Sequence, residues 1–474
     1  MKSTHLKFIS VLVAYSYLFY HQSSGINFLI FNVLLLIALA WEQPELLRTV
    51  LWRWVAAGSL FSATCIVFNG SELAWAAHLV SLLVLVGFSC QPQASFLIAA
   101  LQALHSLITA PLRRFIQLFE KQTGVSEPTQ PAFSNRLYTY ALPALVTLGF
   151  LILYRSANAN FAHTLSLIQL DFISWEWIGF MLGGFLLLFG VFYREILLEL
   201  SLLDFALKDG LEKEDMDYSP ANERLLKENA RGSSLLWMLN GLLLLVNFND
   251  LIYFATNTGI PAGSTYADYV HQGVYTLILT VVLAIGILLY YFRGDQHFFT
   301  KNRLLLTLAY AWIIQNGVLL LITACKNHWY VEEYGLTYKR IGVFVYLLLT
   351  LIGLVSTLYK LKDIRSGWYL IRRNAWAFYF VLVLSAALNW DLLIARYNLY
   401  QARTLDVSYL FTLSDSALPE LYAIRKDPQF NLSDVQKMRL ETRKETFLES
   451  TATQQWQSWT YETSRIRASL NQIP

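Results

Sequence analysis

The sequence predicts an all-α fold, a polytopic bundle of about eleven transmembrane helices with a small helical extracytoplasmic tail. Three observations carry this. Of 474 residues, 55% are hydrophobic and 15% are charged, with a mean hydropathy of +0.42, whereas a soluble domain is typically about a quarter charged. The charge is gathered in gaps between apolar runs of roughly 17–21 residues, the length of helix that crosses a hydrocarbon core of about 30 Å. Strand-type alternation, which a membrane barrel needs, is absent, and helices satisfy their own backbone in lipid.

Taken in order, the spans fall at about 6–21, 26–41, 51–68, 73–90, 138–154, 174–192, 234–254, 271–292, 304–323, 341–359 and 374–391. Lys2 and Lys7 precede an apolar run from Phe8 to Tyr20, which resembles a secretory signal. No small-x-small cleavage site follows, so this run reads as an uncleaved first helix. Segment 94–120 begins apolar. Its residues Leu97, Leu101, Leu104, Ile108, Leu112, Phe115 and Phe119 nevertheless repeat every three or four positions as a single stripe. Gln102, His105, Arg113, Arg114 and Gln117 lie off that stripe, the pattern of a helix lying in the membrane interface.

Charge supports the count. With eleven spans and a cytoplasmic N-terminus, the inner segments hold 22 of the 36 Lys and Arg, and the short outer loops hold only Arg155, Lys326, Lys339 and Arg340, as the positive-inside rule requires. Counting 94–110 as a span would move Arg113, Arg114, Lys121 and Arg136 to the other side. Trp41, Trp52, Trp54, Trp75, Trp175, Trp177, Trp237, Trp376 and Trp390 fall near span ends, where amphipathic rings sit at headgroup level. The chain therefore reads as a multi-pass membrane protein, its N-terminus cytoplasmic and its tail extracytoplasmic.

Residues 1–120 form a four-span region plus the interfacial helix. Residues 121–137, with Gly124, Ser126, Pro128 and Pro131, read as a linker. Residues 138–391 form a seven-span core. Its inner segment 193–233 carries ten acidic and six basic residues and predicts a helical hairpin, with Ser219-Pro220 as a helix start. Residues 392–474 form a soluble helical tail. Ser414-Asp415 opens a run through Leu418 and Leu421, and Trp456, Trp459, Ile466 and Leu470 mark a final stripe.

A net charge of +3 gives no reason to expect nucleic acid. The three cysteines, Cys65, Cys90 and Cys325, lack metal-ligand spacing. They read as small buried apolar residues, and a Cys65–Cys325 disulfide is left open. No P-loop, H-E-x-x-H, G-x-S-x-G or C-x-x-C occurs, and nothing names a cofactor or a catalytic residue. The expected partners are the bilayer and a small-molecule or lipid-like ligand.

Polar side chains inside spans are expensive and mark functional candidates. Those toward the outer ends are Asn247 to Asp250, His271 and Gln272, Gln315 and Asn316, Glu332 to Arg340, Asn389 to Asp391, and Arg396 to Asn398. From these, Asp250, His271, Gln272, Asn316, Tyr334, Thr337, Arg340, Asn389, Asp391 and Arg396 form the candidate binding cluster of an outward-facing cavity. Acids there suit a cation or a general base, arginines a phosphate or carboxylate, and His271 titrates near neutrality. Helix capping and interhelical hydrogen bonding compete with each of these roles.

His271-Gln272-Gly273-Val274-Tyr275, Tyr334-Gly335-Leu336-Thr337 with Arg340, and Ile394-Ala395-Arg396-Tyr397-Asn398 resemble a bacterial membrane family, as do the tail pieces around Leu405 to Leu410 and Asp415 to Leu421. The family is that of domains of unknown function 4153 and 4173, and the resemblance covers roughly 135–425. It implies a multi-pass envelope protein, carries no catalytic assignment, and makes the tail part of the core unit. A transporter-like or accessory component is the leading reading. A membrane enzyme acting on a lipid-linked or envelope substrate, and a sensor or assembly scaffold, are the alternatives.

Overall fold

The computed structural model describes residues 2–120, 146–147, 149–151, 153–158, 161, 174–212, 220–256, 266–430 and 432–472, without the side chains of 2–3, 115–120, 220–222, 253–256, 266–278 and 426. Every regular element among them is helical, apart from one lone antiparallel bridge between Gly210 and Arg365. The long helices are α1 (Lys2–Phe19), α2 (Ile26–Glu42), α3 (Val50–Asn69), α4 (Glu72–Cys90), α5 (Phe96–Glu120) and α6 (Trp175–Phe192). The short α7 (Leu198–Ala206) leads to α8 (Pro220–Thr256), α9 (Tyr266–Tyr291), α10 (Arg303–Tyr334), α11 (Tyr338–Lys362) and α12 (Gly367–Ser385). The tail holds α13 (Trp390–Tyr400), α14 (Asp434–Ala452), α15 (Tyr461–Gln472) and several short turns.

Seven of the described helices are long and apolar enough to cross a membrane, eight if the bent pair α12–α13 is one span, and Thr4–Phe19, Ile26–Glu42 and Leu279–Tyr291 are shorter apolar helices. The count of about eleven expected from the sequence exceeds what length and composition alone establish. Its fifth span, 138–154, and the linker 121–137 lie largely or wholly outside the described residues.

Contacts at the helix ends give each long helix a direction, and set α4 and α6 parallel to one another. At one end Lys7 of α1 meets Glu42 of α2 at 2.8 Å, Arg194 after α6 donates to Ser89 O of α4 at 2.9 Å, and Lys360 of α11 donates to Phe292 O after α9 at 3.0 Å. At the other end Asn69 of α3 donates to Ala386 O after α12 at 2.8 Å, and the α1–α2 turn meets the tail. We call these the basic end and the tail end.

Helix α5 qualifies as a span by length and composition over Phe96–Arg114. Yet both of its ends lie at the basic end. The Ser95 amide donates to Asp204 at 2.6 Å and Arg113 pairs with Glu195 at 2.7 Å. Between them Gln102 bonds to Leu197 O and Ser201, and Ser106 to Gly190 O. A helix of about 27 Å (~1.5 Å per residue) thus runs across the ends of α4 and α6 rather than alongside them. Gly87 permits the crossing, since a Cβ there would lie 1.8 Å from the Ala99 carbonyl oxygen. The apolar stripe Leu97, Leu101, Leu104, Ile108 and Leu112 is exposed, while Gln102 and Ser106 are fully buried. The inner segment 193–233 resolves differently from a free hairpin. Among its described residues only α7 is separate, and the residues from Pro220 onward are the opening turns of the 37-residue α8.

Three apolar cores organise the molecule. One joins α1 to α6 with α12, through residues such as Leu39, Leu85, Phe88 and Tyr379. A second joins α8 to α11 around Leu236, Leu288, Leu305 and Trp312. The third builds the tail around Ile394, Leu418, Leu440 and Leu470 and reaches Ile341 of α11. Helices α6 and α12, which follow residues 121–137 in sequence, therefore pack with the helices before them. The tail touches both membrane lobes: the Ile26 amide donates to Trp459 O at 3.0 Å, and the Leu336 amide to Asn398 Oδ1. All three cysteines are free, so no Cys65–Cys325 disulfide forms; Cys65 and Cys90 are buried as expected, whereas Cys325 on α10 is exposed.

Candidate functional site

Helices α8 and α10 run parallel, and a file of amides follows their seam. Asn240 donates to Leu308 O at 3.0 Å and Asn247 to Gln315 O at 3.1 Å, both across 68 residues, a constant offset that only parallel helices keep. The Gln315 side chain donates back to Asn240 Oδ1 at 2.7 Å. Asn247 Oδ1 and Gln315 Oε1 are buried without a partner among the described residues. Nearer the tail end, Asp250 meets Lys326 at 2.8 Å, with side chains 14% and 17% exposed. Asn316, buried on α10, donates to Trp312 O of its own helix at 2.8 Å.

The file ends at the α10–α11 turn. Helix α10 runs to Tyr334, so Glu332, Glu333 and Tyr334 form its last turn rather than a loop. Gly335 turns the chain with φ +79°, and a Cβ there would lie 2.4 Å from Asn398 Oδ1, a conformation glycine takes at little cost. Thr337 caps α11 by accepting the Arg340 amide at 3.3 Å. Arg340 folds back onto the end of α10. Its guanidinium donates to Tyr334 O at 2.8 Å and to Gly335 O, and lies 4.0 Å over the Tyr330 ring. A cation at the carbonyl end of a helix is favourable on charge grounds alone. Asn327 donates to Arg340 O at 3.0 Å and ties this turn to the file.

The remaining candidates belong to the seam between bundle and tail. After α12 the chain bends by 65° into α13, because Asn389 starts a new helix by accepting the Leu392 amide at 3.1 Å. Its amide also donates to Glu462 at 2.9 Å, and Glu462 is held by Arg465. Asp391 accepts from Tyr338 at 2.9 Å and from Ser414 at 2.5 Å, and Arg396 pairs with Glu420 at 2.8 Å.

The ten sequence candidates therefore divide. Asp250, Asn316, Tyr334, Thr337 and Arg340 lie on or beside the α8–α10 file, and Asn389, Asp391 and Arg396 face the tail. His271 and Gln272 lie on α9, and their side chains are outside the described residues. Reading by sequence missed Asn240, whose only signal is an amide within an apolar run. It also missed Glu420 and Glu462, which look like ordinary charges of a soluble tail until their partners are known. Among the described residues, no group of three or more His, Cys, Asp or Glu is arranged to hold a metal.

Two cavities of the described residues lie at the basic end, opposite the candidate cluster. One, of about 360 Å³, adjoins α7, the start of α5 and α12. Its Asp204 binds Arg372 at 2.8 Å and Trp368 at 3.2 Å. Burial alone would raise the Asp204 carboxyl, but bonds from Arg372, Ser95 and Trp368 outweigh it and hold the pKa below the ordinary carboxylate value. The other, of about 490 Å³, lies among α1, α2, α5 and the end of α6.

Apolar helices, amide contacts in place of charges along a helix seam, and charged residues gathered at the ends define an integral membrane protein. The chain belongs to the family described as domain of unknown function (DUF4153), whose model matches residues 8–424. That match begins in α1, well before the stretch where sequence motifs alone showed the likeness, and takes in the first turns of the tail. No curated protein and no solved structure matches the chain.

Proposed function

We propose that this protein is a transporter-like or accessory component of a bacterial plasma membrane, in which the α8–α10 file handles a polar solute or ion and opens toward the tail end. The chain then spans the membrane eleven times, with the basic end cytoplasmic and the tail outside. The basic end carries Lys7, Arg194, Lys360 and Arg372, in line with the positive-inside rule. The carrying observation is the file itself. Polar groups within spans are costly and cluster along pathways, and here Asn240, Gln315, Asn247, Asp250 and Lys326 succeed one another along one seam. Asp250, Asn316, Tyr334, Thr337 and Arg340 then line or gate its outer half, with His271 and Gln272 on the neighbouring α9.

Accessibility to water tests the reading without knowledge of the solute. In a background lacking Cys65, Cys90 and Cys325, single cysteines are placed by Asn247→Cys, Gln315→Cys, Lys326→Cys and Leu321→Cys, the last on an outward face that is 63% exposed. A membrane-impermeant thiol reagent added on the tail side is expected to modify the first three and spare the fourth. Reaction at Lys326→Cys with none at Asn247→Cys and Gln315→Cys would leave a closed structural seam and reject the proposal.

A second reading, an assembly scaffold, is favoured by one observation. The tail bonds to the α1–α2 turn and to the α10–α11 turn, so it bridges both lobes at one end. Asn389, Asp391 and Arg396 then hold the tail in place and do not contact a solute.

A further inference from the structure

One strip of the tail is turned inside out for a protein domain surrounded by water. Where α14 leads into α15 the chain runs Trp456-Gln457-Ser458-Trp459-Thr460-Tyr461-Glu462. Its polar residues are the buried ones: Gln457, Ser458, Thr460 and Glu462 are at most 7% exposed. Its rings are outside: Trp456, Trp459 and Tyr461 are 52%, 43% and 49% exposed. A single exposed ring on a protein surface is ordinary, but three in one strip mark an interaction surface.

The inversion is held by hydrogen bonds. Ser458 donates to Gln22 Oε1 at 3.0 Å and accepts the Ser23 amide at 2.9 Å. Thr460 accepts the Thr463 amide at 3.1 Å, and Glu462 accepts from Asn389 at 2.9 Å and from Arg465 at 2.7 Å. In water the larger gain would come from burying the rings. Rings left outside a satisfied polar layer suit surroundings that are themselves partly apolar.

Three apolar helices fix the level of the strip. The Trp456 ring lies 6.3 Å from that of Tyr17, in the last turn of α1, and the Tyr461 ring 5.7 Å from that of Phe68, in the last turn of α3. The Trp459 carbonyl accepts the amide of Ile26, the first residue of α2, at 3.0 Å. The strip therefore sits where the apolar runs of α1, α2 and α3 stop at the tail end. Tyr17 and Phe68 are exposed, so Trp456 and Tyr461 continue the outer surface of α1 and α3. Trp and Tyr gather at this level in membranes, because the ring prefers the acyl boundary while its N–H or O–H keeps water or a headgroup as partner.

We propose that Trp456, Trp459 and Tyr461 seat the tail in the headgroup layer of the bilayer leaflet at the tail end, so that the tail is a membrane-bound unit and not a domain standing free in solvent. The proposal is independent of any solute in the α8–α10 file. It is tested on the full chain in phosphatidylcholine vesicles. In a background lacking Cys65, Cys90 and Cys325, single cysteines placed by Trp456→Cys, Trp459→Cys and Tyr461→Cys carry a bimane fluorophore, with Leu321→Cys as the reference on an outward span face. Phosphatidylcholine spin-labelled on its headgroup is expected to quench all three tail positions more strongly than aqueous iodide does, and lipid spin-labelled at mid-chain to quench Leu321→Cys more strongly than any of them. Quenching of the tail positions by iodide and not by lipid places the strip in water and overturns the proposal. Quenching by neither means that protein covers it, a second copy of the chain or another partner, and overturns the proposal too. Because a label could itself unseat the tail, the unsubstituted protein gives the deciding measurement. It is illuminated in vesicles containing phosphatidylcholine with a photoreactive diazirine near the headgroup, and its peptides are mapped by mass spectrometry. Lipid adducts within residues 456–461 uphold the proposal, and adducts confined to the apolar helices overturn it.

Discussion

Asn398 of α13 holds Leu336 by both ends of its side-chain amide: Oδ1 accepts the Leu336 N–H, and Nδ2 donates to the Leu336 carbonyl at 2.8 Å. One side chain thereby substitutes for a strand partner at the turn between α10 and α11. It also locks the tail to the membrane bundle.

Asn398→Ala leaves both backbone groups of Leu336 without their partner. We expect a loss of about 2 kcal/mol, the cost of stranding a half-buried amide, read as a lower melting temperature and faster hydrogen exchange at the Leu336 amide. Asn398→Asp keeps the acceptor and loses the donor, and should fall between. Gly335→Ala meets both a positive φ and a contact with Asn398, and should cost at least as much. Undiminished protection of Leu336 in Asn398→Ala would show that the turn stands by itself.

The pair Asp250–Lys326 is poorly exposed on both sides. Lys326→Met strands a carboxylate and should destabilise the protein by about 3 kcal/mol, whereas the double variant Asp250→Asn with Lys326→Met should recover most of that. Thermal unfolding in detergent gives both values. Additive losses would mean that the two residues act apart.

His297, in the turn after α9, is buried against Phe292. Burial first, and the Lys360 charge second, lower its pKa from 6.5 to about 4. The imidazole is thus held neutral in the folded state, and the unfolded chain binds the proton more readily. Its stability contribution is present above pH 6.5, declines as pH falls toward 4, and levels off below that. The change amounts to about 3 kcal/mol. His297→Gln should flatten the melting-temperature profile between those limits, and an unchanged profile would place the titration elsewhere.

Both ends of α5 should face the same side of the membrane. Single cysteines introduced by Gln93→Cys and Arg114→Cys in a cysteine-free background should react with an impermeant reagent from the cytoplasmic side, and neither from the tail side. Labelling of the two from opposite sides would make α5 a span and invert everything after it.

The apolar helices were legible because lipid imposes one rule on each of them separately. An apolar run must be long enough and must end where charge or Trp begins, and Ile26–Glu42, Val50–Asn69 and Glu72–Cys90 begin and end within a residue or two of the expected bounds. The rule fails where a helix continues past the hydrocarbon. Helices α8 and α10 extend well beyond their expected spans, because nothing in water obliges a helix to stop. The polar candidates were legible as positions but not as partners. Asp391 reads in sequence as an acid at a span end; only the fold brings it to Tyr338 and Ser414.

The sequence by itself determined an all-helical membrane protein, the stripe on α5 and the concentration of basic residues at one end. These are properties of single segments, set by transfer of side chains between water and lipid. The tertiary structure alone decided that α6 and α12 join the N-terminal helices, that α8 and α10 share an amide file, and that the tail bridges both lobes. Those outcomes depend on the angle and offset at which two helices meet, which packing of small residues such as Gly87 against Ala99 fixes, and which no local pattern of polarity encodes.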